Sequence, residues 1–288
     1  MRTDRFFKGI LWGGGVFFGL LLVFIFIFLL KGSWLSIKAF GLKFLVMKVW
    51  DPIQERFGLL PLLVGTLLTS FISLIISLPF SFSIALLLSF YVKTGFLNKT
   101  ISYTTDLLAG IPSVIYGLWA LFFLVPSVRW LEIKLHVIPY GVGILTASLV
   151  LSVMIIPYAS SMMREVMKLV PKDLIEAGYS MGATRYDVVR KVIIPYARSG
   201  IIAGLLLSFG RAFGETMAVT MVIGNANTMP QSIFSPSNTM ASIIANEFTE
   251  AVKEIHLSSL IHVGLWLFII TFIINLMGNY VIKRFEVR

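Results

Sequence analysis

There is no cysteine in this chain of 288 residues, and there are only three histidines. Disulfides and thiolate metal centres are excluded. His136, His256 and His262 are too scattered to read as a metal-ligand set, and helix packing is the role expected of them. Charge is scarce as well. Asp, Glu, Lys and Arg make up 13% of the residues, about half the share of an ordinary soluble domain, against 57% hydrophobic residues and a mean hydropathy of +0.90. A soluble fold of this size would need far more polar surface. No Gly-x4-Gly-Lys-Ser/Thr phosphate loop occurs, so ATP hydrolysis is not expected of this chain alone. Tandem repeats and low-complexity tracts are also lacking, and one domain over 1–288 is the expected organisation.

What is present is grease in long pieces. Runs free of charge cover 10–30, 57–92, 107–128 and 137–163; 199–223 is interrupted by Arg211 and Glu215, and 257–282 carries only His262. About 20 apolar residues rising 1.5 Å each cross the hydrocarbon core. The reading is an all-α membrane protein with six transmembrane helices over about 10–30, 59–91, 107–128, 139–163, 199–223 and 257–282. Pro61 fits the first turn of the second helix. The first run is longer than the apolar core of a signal peptide and no small-x-small site follows it, so it is expected to be retained.

The basic balance, 24 Lys and Arg for a net charge of +10, reads as membrane topology rather than as a nucleic-acid footprint. Seven cations, Arg164, Lys168, Lys172, Arg185, Arg190, Lys191 and Arg198, fall in the single loop 164–198. Arg2, Arg5 and Lys8 lie at one terminus and Lys283, Arg284 and Arg288 at the other. The positive-inside rule then puts both termini in the cytoplasm. The first outer loop departs from that rule. Its Lys38, Lys43 and Lys48 alternate with Trp34, Phe40, Phe44 and Trp50, which predicts an amphipathic element on the outer surface. With the acidic Glu247, Glu250 and Glu254, this loop is a candidate outer docking face.

The loop 164–198 is a polar island that bilayer physics does not ask for. Pro171-Lys172-Asp173 is a helix-start signal, and a short helix is expected to end near Gly182. Thr184 reads as an N-cap with Asp187 three residues on, opening a second helix to Ile194, after which Pro195 begins the approach to the membrane. Ala177, Gly178 and Gly182 keep the turn narrow enough to enter a groove on another protein, where Glu176 and Arg185 would meet charges on the rim. A solvated connector is the alternative. The order Glu176-Ala177-Gly178, Gly182, Val192-Ile193-Ile194-Pro195 resembles the E-A-A-x3-G-x9-I-x-L-P loop of ABC-importer permeases, with Gly178, Val192 and Ile194 as substitutions. That resemblance implies coupling to separate ATPase subunits.

A second constellation lies within the fifth apolar run, where Arg211 and Glu215 stand four residues apart. Each charge in hydrocarbon costs at least about 2.5–3.5 kcal/mol. On a continuous helix they would share a face and pair, flanked by the small residues Gly210, Ala212, Gly214 and Ala218 that let another helix approach. Two readings stay open: an internal salt bridge that pins helices, or a translocation path in which the arginine fork meets a tetrahedral oxyanion. Pro112-Ser113 is expected to bend the third span, and Asp106 reads as a helix-start charge.

The run 211–225, with 63–70, 110–117 and 241–248, is similar to PstC-type permeases of phosphate ABC importers over essentially the whole chain. The resemblance implies a type I (MetI-like) permease fold in the cell inner membrane. It implies a PstA-type sister permease, two PstB-type ATPases, a PstS-type phosphate-binding protein and no cofactor. It places Arg211, Glu215 and Thr216 on the substrate path, and Glu176, Ala177, Gly178, Gly182, Arg185 and Pro195 at the ATPase contact. Molybdate, sulfate or phosphonate are the alternative cargoes. A proton-coupled secondary transporter using Glu215 is the more distant rival, since such folds usually carry internal repeats and would not need the 164–198 loop.

Overall fold

In hydrocarbon every backbone N–H and C=O must be satisfied within the segment, so apolar runs of this length become helices. The computed structural model describes residues 2–285, with side chains from 7 to 284; Arg288 and the side chains of Arg2 and Arg5 lie outside the described part. Among the described residues all regular structure is helical, apart from an isolated bridge between Asp51 and Arg56. The elements are α1 (Arg2–Gly32), α2 (Trp34–Phe40), α3 (Lys43–Val46), α4 (Leu60–Leu86), α5 (Phe96–Gly110), α6 (Ser113–Trp119), α7 (Val125–Lys134), α8 (Ile144–Lys168), α9 (Lys172–Ser180), α10 (Arg185–Val188), α11 (Ile194–Phe213), α12 (Met217–Val222), α13 (Met240–Glu247) and α14 (Glu254–Phe285).

Three π turns, Leu87–Tyr91, Ala120–Leu124 and Val189–Ile193, continue or join these helices without a break. The last two stand immediately before Val125-Pro126 and Ile194-Pro195. Proline lacks an N–H and its ring crowds the carbonyl four residues back. A π turn, closed here by Val125 N–H to Ala120 O and Ile194 N–H to Val189 O, shifts that carbonyl and lets the helix run on.

Six helices are long and apolar enough to cross a membrane: Phe7–Gly32, Leu60–Tyr91, Ser113–Lys134, Ile144–Lys168, Arg185–Phe213 and Glu254–Arg284. The number matches the sequence expectation, and the third, fourth and fifth spans are displaced from it, the fourth running from Ile144 to Lys168 rather than over 139–163. The third span begins at Ser113 because the chain breaks at Ile111-Pro112; α5 before it is a separate, largely exposed helix that holds Asp106 in its interior rather than at a helix start. The fifth span begins at Arg185 and ends at Phe213, so Gly214, Glu215 and Thr216 fall in a break before α12.

The centre is α4, α8 and α11, with α14 against α11 and α1 on the outside of α14. The face α4 turns inward carries Gly65, Thr66, Thr69, Ser70, Ser73, Ser77 and Ser81, all buried. Small hydroxyl residues let helix backbones approach closely. Several hydroxyls return to their own helix, as Thr66 Oγ1 to Leu62 O at 2.7 Å and Thr69 Oγ1 to Gly65 O at 2.8 Å.

At the end of the bundle opposite the 164–198 loop, the expected surface element proves to be a packed cap. Lys38, Lys43 and Lys48 do point outward, but Phe44 and Trp50 are buried inside the protein. Phe44 stacks on His262 at 4.1 Å and Phe57 on His256 at 5.3 Å, the packing role expected of two of the histidines. Glu247 is not a free docking charge either. Its carboxylate meets Trp50 Nε1 (2.9 Å), Asn227 Nδ2 (3.0 Å) and His256 Nε2 (2.8 Å). Glu250 and Glu254 remain exposed, and Lys253 bonds Glu55 at 2.7 Å. Glu247→Ala leaves the buried Trp50 and His256 and the half-buried Asn227 without their acceptor, a loss of about 1–3 kcal/mol. It is expected to lower the melting temperature of the solubilised protein, and unchanged melting would show that the network contributes nothing.

Candidate functional site

The turn between α9 and α10 is built locally. Gly182 adopts φ +80°, a conformation glycine takes without steric cost, and its N–H reaches Tyr179 O at 2.9 Å. Thr184 then caps α10 reciprocally with Asp187: the Asp187 N–H donates to Thr184 Oγ1 at 3.2 Å, and the Thr184 N–H to Asp187 Oδ2 at 3.3 Å. The expected capping box is present.

The positions expected at the ATPase contact divide by environment. Glu176, Ala177, Gly182, Arg185 and Pro195 are exposed. Gly178 is buried, and a Cβ there would lie 3.3 Å from Val188 Cγ2. Glycine at 178 therefore serves the packing of α9 on α10 and faces away from any docking groove. Pro195 does not open a new segment but sits inside a helix continuous from Arg185 to Phe213. Composition alone missed the most exposed apolar residues of the turn, Met181 (86%) directly before Gly182 and Tyr186 (65%) in α10. Met181 directly before the small turn residue was the available signal.

The second constellation is rearranged more deeply. Because α11 stops at Phe213, Arg211 and Glu215 do not share a helical face, and no ion pair joins them among the described residues. Arg211 lies in the last turn of α11, where its charge suits the negative end of the helix dipole. Its guanidinium carbon sits 4.0 Å from the centre of the Tyr158 ring, near the middle of α8. The residue is otherwise open, as are Leu207 and Met217, and nothing lies within 4 Å of where a Cβ on Gly210 would be. Glu215 and Thr216 are half-buried in the break, and the Thr216 carbonyl accepts from the Thr220 hydroxyl at 2.8 Å. Of the small residues expected to receive a helix, only Ala212 and Ala218 are buried.

A second break faces the first. Past Pro112, α6 packs on α12 so closely that a Cβ on Gly117 would stand 3.1 Å from Ala218 Cα and 2.6 Å from Met221 Sδ. Before Pro112, the last carbonyls of α5 are taken by tyrosines: Tyr116 Oη donates to Leu108 O at 2.8 Å and Tyr158 Oη to Ala109 O at 2.9 Å. Arg211 thus stands beside two interrupted helices at the depth of the middle of α8.

Residues 63–287 match the family model of the binding-protein-dependent transport system inner membrane component. The chain belongs to this family. It is a multi-pass membrane transport component, and the matched region begins inside α4, leaving α1, α2 and α3 ahead of it. Among relatives, the phosphate transport system permease protein PstC of Mesorhizobium japonicum is 41% identical over 99% of this chain and 92% of its own length. The protein of the same name from Haemophilus influenzae is 43% identical over 93% of this chain and 89% of its own. In fold, the transport component is similar to a chain of the inward-facing MetNI methionine ABC transporter, with TM-score 0.61 and 19% identity over 83% of this chain and 100% of that one. A second crystal form gives TM-score 0.60 and 20% identity over 77% and 94%. The six-helix ABC-permease fold expected from the sequence is therefore the fold observed.

Proposed function

We propose that this chain is the membrane-spanning permease subunit of an ATP-driven phosphate importer, working in the inner membrane with both termini in the cytoplasm. The observation that carries the reading is Arg211: a guanidinium at mid-bundle, exposed in the single chain, seated on an aromatic ring and, among the described residues, in no ion pair. A cation is costly there unless a charged partner arrives. A planar fork of N–H donors suits a tetrahedral oxyanion. The relatives named as phosphate permeases support phosphate as that oxyanion. The absence of an Arg211–Glu215 pair removes the geometric basis of the helix-pin alternative, and Glu215 and Thr216 are left at the break as further path residues.

The open face of α11, with Leu207, Gly210 and Arg211, is where a PstA-type sister permease would complete the path. The turn at Glu176, Ala177, Gly182 and Arg185, with Met181 at its tip, would dock on PstB-type ATPases, which hydrolyse the ATP; this chain itself is no enzyme. A PstS-type binding protein would deliver phosphate to the cap end. Uptake of labelled phosphate into vesicles holding the four components tests this directly. Excess unlabelled phosphate should compete, and molybdate, sulfate and phosphonate should not. Competition by another oxyanion at equal concentration would replace phosphate as the cargo.

A further inference from the structure

Arg211 poses a positioning problem that its own chain cannot solve. Long cationic side chains in a bilayer swing toward the nearest water, burying the stem and freeing the head. A carboxylate partner would normally hold such a side chain, and among the described residues Arg211 has none. What lies against its guanidinium is the face of Tyr158.

Tyr158 is itself fixed at both ends. Its backbone belongs to α8, among neighbours that are largely buried: Met154, Ile155, Pro157, Ala159. Its hydroxyl donates to Ala109 O at 2.9 Å. That carbonyl lacks a helical partner because α5 ends at Gly110 and the chain turns at Ile111-Pro112. A helix end leaves its last carbonyls unsatisfied, and in hydrocarbon they must find a donor. Tyr116 ties the same end from the other side of the break, donating to Leu108 O, which also accepts the Ile111 N–H at 3.4 Å. Both tyrosines hold the end of α5, but the guanidinium lies over the ring of Tyr158.

We propose that Tyr158 is the positioning residue for Arg211: its ring seats the guanidinium at mid-bundle, and its hydroxyl locks the ring to the end of α5. The proposal rests on the reading of Arg211 as the ligand of the anion and names what aims it. The ring face covers one side of the guanidinium plane and leaves its N–H edges free to donate to an oxyanion. Guanidinium stacking needs the ring, whereas the carbonyl bond needs only the hydroxyl, so the two duties separate by substitution.

In vesicles with the complete transporter, Tyr158→Phe keeps the seat and is expected to retain uptake within about threefold. Tyr158→Leu removes the seat and is expected to lower the maximal uptake rate at least tenfold at saturating binding protein, with ATPase assembly unchanged. If the leucine variant fails to assemble, Tyr158→Met takes its place, filling the space without a π face. Tyr116→Phe, which loses the other tyrosine tie to the end of α5, is the control for a structural role and is expected to transport normally. A cycle with Arg211→Lys adds an independent readout. A lysine ammonium keeps the attraction to the ring face but has no plane to stack, so Tyr158→Leu is expected to cost less in that background than in the parent. Equal losses in the phenylalanine and leucine variants, or fully multiplicative losses in the cycle, overturn the assignment. Normal uptake by Arg211→Gln would instead overturn the anion-path reading itself.

Discussion

Arg211→Gln is expected to abolish phosphate uptake while leaving insertion and subunit assembly intact. Each hydrogen bond from a charged donor contributes about 1.5–3 kcal/mol, so losing even one along the path slows transport roughly tenfold to a hundredfold. The substitution also relieves a charge from hydrocarbon, so the variant protein should be no less stable than the parent. Glu215→Gln is expected to be milder or to alter which anion passes, because the cation stays in place. Exchanging the two residues, Arg211→Glu with Glu215→Arg, is expected not to restore uptake, since the helix is broken between them and no pair exists to invert. Recovery of transport by that exchange would return the pair to a purely structural role. The measurement is initial uptake rate, normalised to assembled transporter.

Gly182→Trp is expected to uncouple ATP hydrolysis from uptake, cutting transport at least about tenfold with basal ATPase activity retained. Nothing in the chain lies within 4 Å of a Cβ at this position, so the indole projects outward between the exposed Met181 and Arg185. The φ of +80° adds strain of about 1–2 kcal/mol for a side chain with a Cβ. Gly182→Asn separates the two effects, because asparagine tolerates this conformation and adds little bulk. Coupling kept by asparagine and lost by tryptophan points to the docking surface, and equal losses point to the turn's own folding. Normal uptake by the tryptophan variant would leave the loop without its proposed partner.

The spans were legible because hydrocarbon sets their length, and six apolar runs can hardly be arranged otherwise. The breaks within them were not. An average of hydropathy long enough to find a span smooths over Ile111-Pro112 and over Gly214-Thr216, so a run looks continuous whether or not its helix is. The i,i+4 argument for Arg211 and Glu215 failed for that reason: it assumed the helix it needed. The turn at Gly182 read better, because Thr184, Asp187 and Gly182 act on their immediate neighbours and leave a local signature. Contacts made by distant segments left none. Tyr158 beneath Arg211, and Phe44 on His262, join residues far apart in sequence with no periodicity to announce them. The lysines and aromatics of the first loop correctly indicated a two-sided element, but the apolar side met protein rather than lipid.

The single helix from Arg185 to Phe213 carries a mechanical consequence. At 1.5 Å per residue, Arg185 and Arg211 are the two ends of a strut about 40 Å long. Such a strut passes an axial thrust from one end to the other almost undiminished, and no relay of side chains is required. The π turn at Val189–Ile193 is where the winding of the strut widens, one turn in from Arg185. A push along the axis at Arg185 would in this way reach Arg211 as a shift along the helix rather than as a bend.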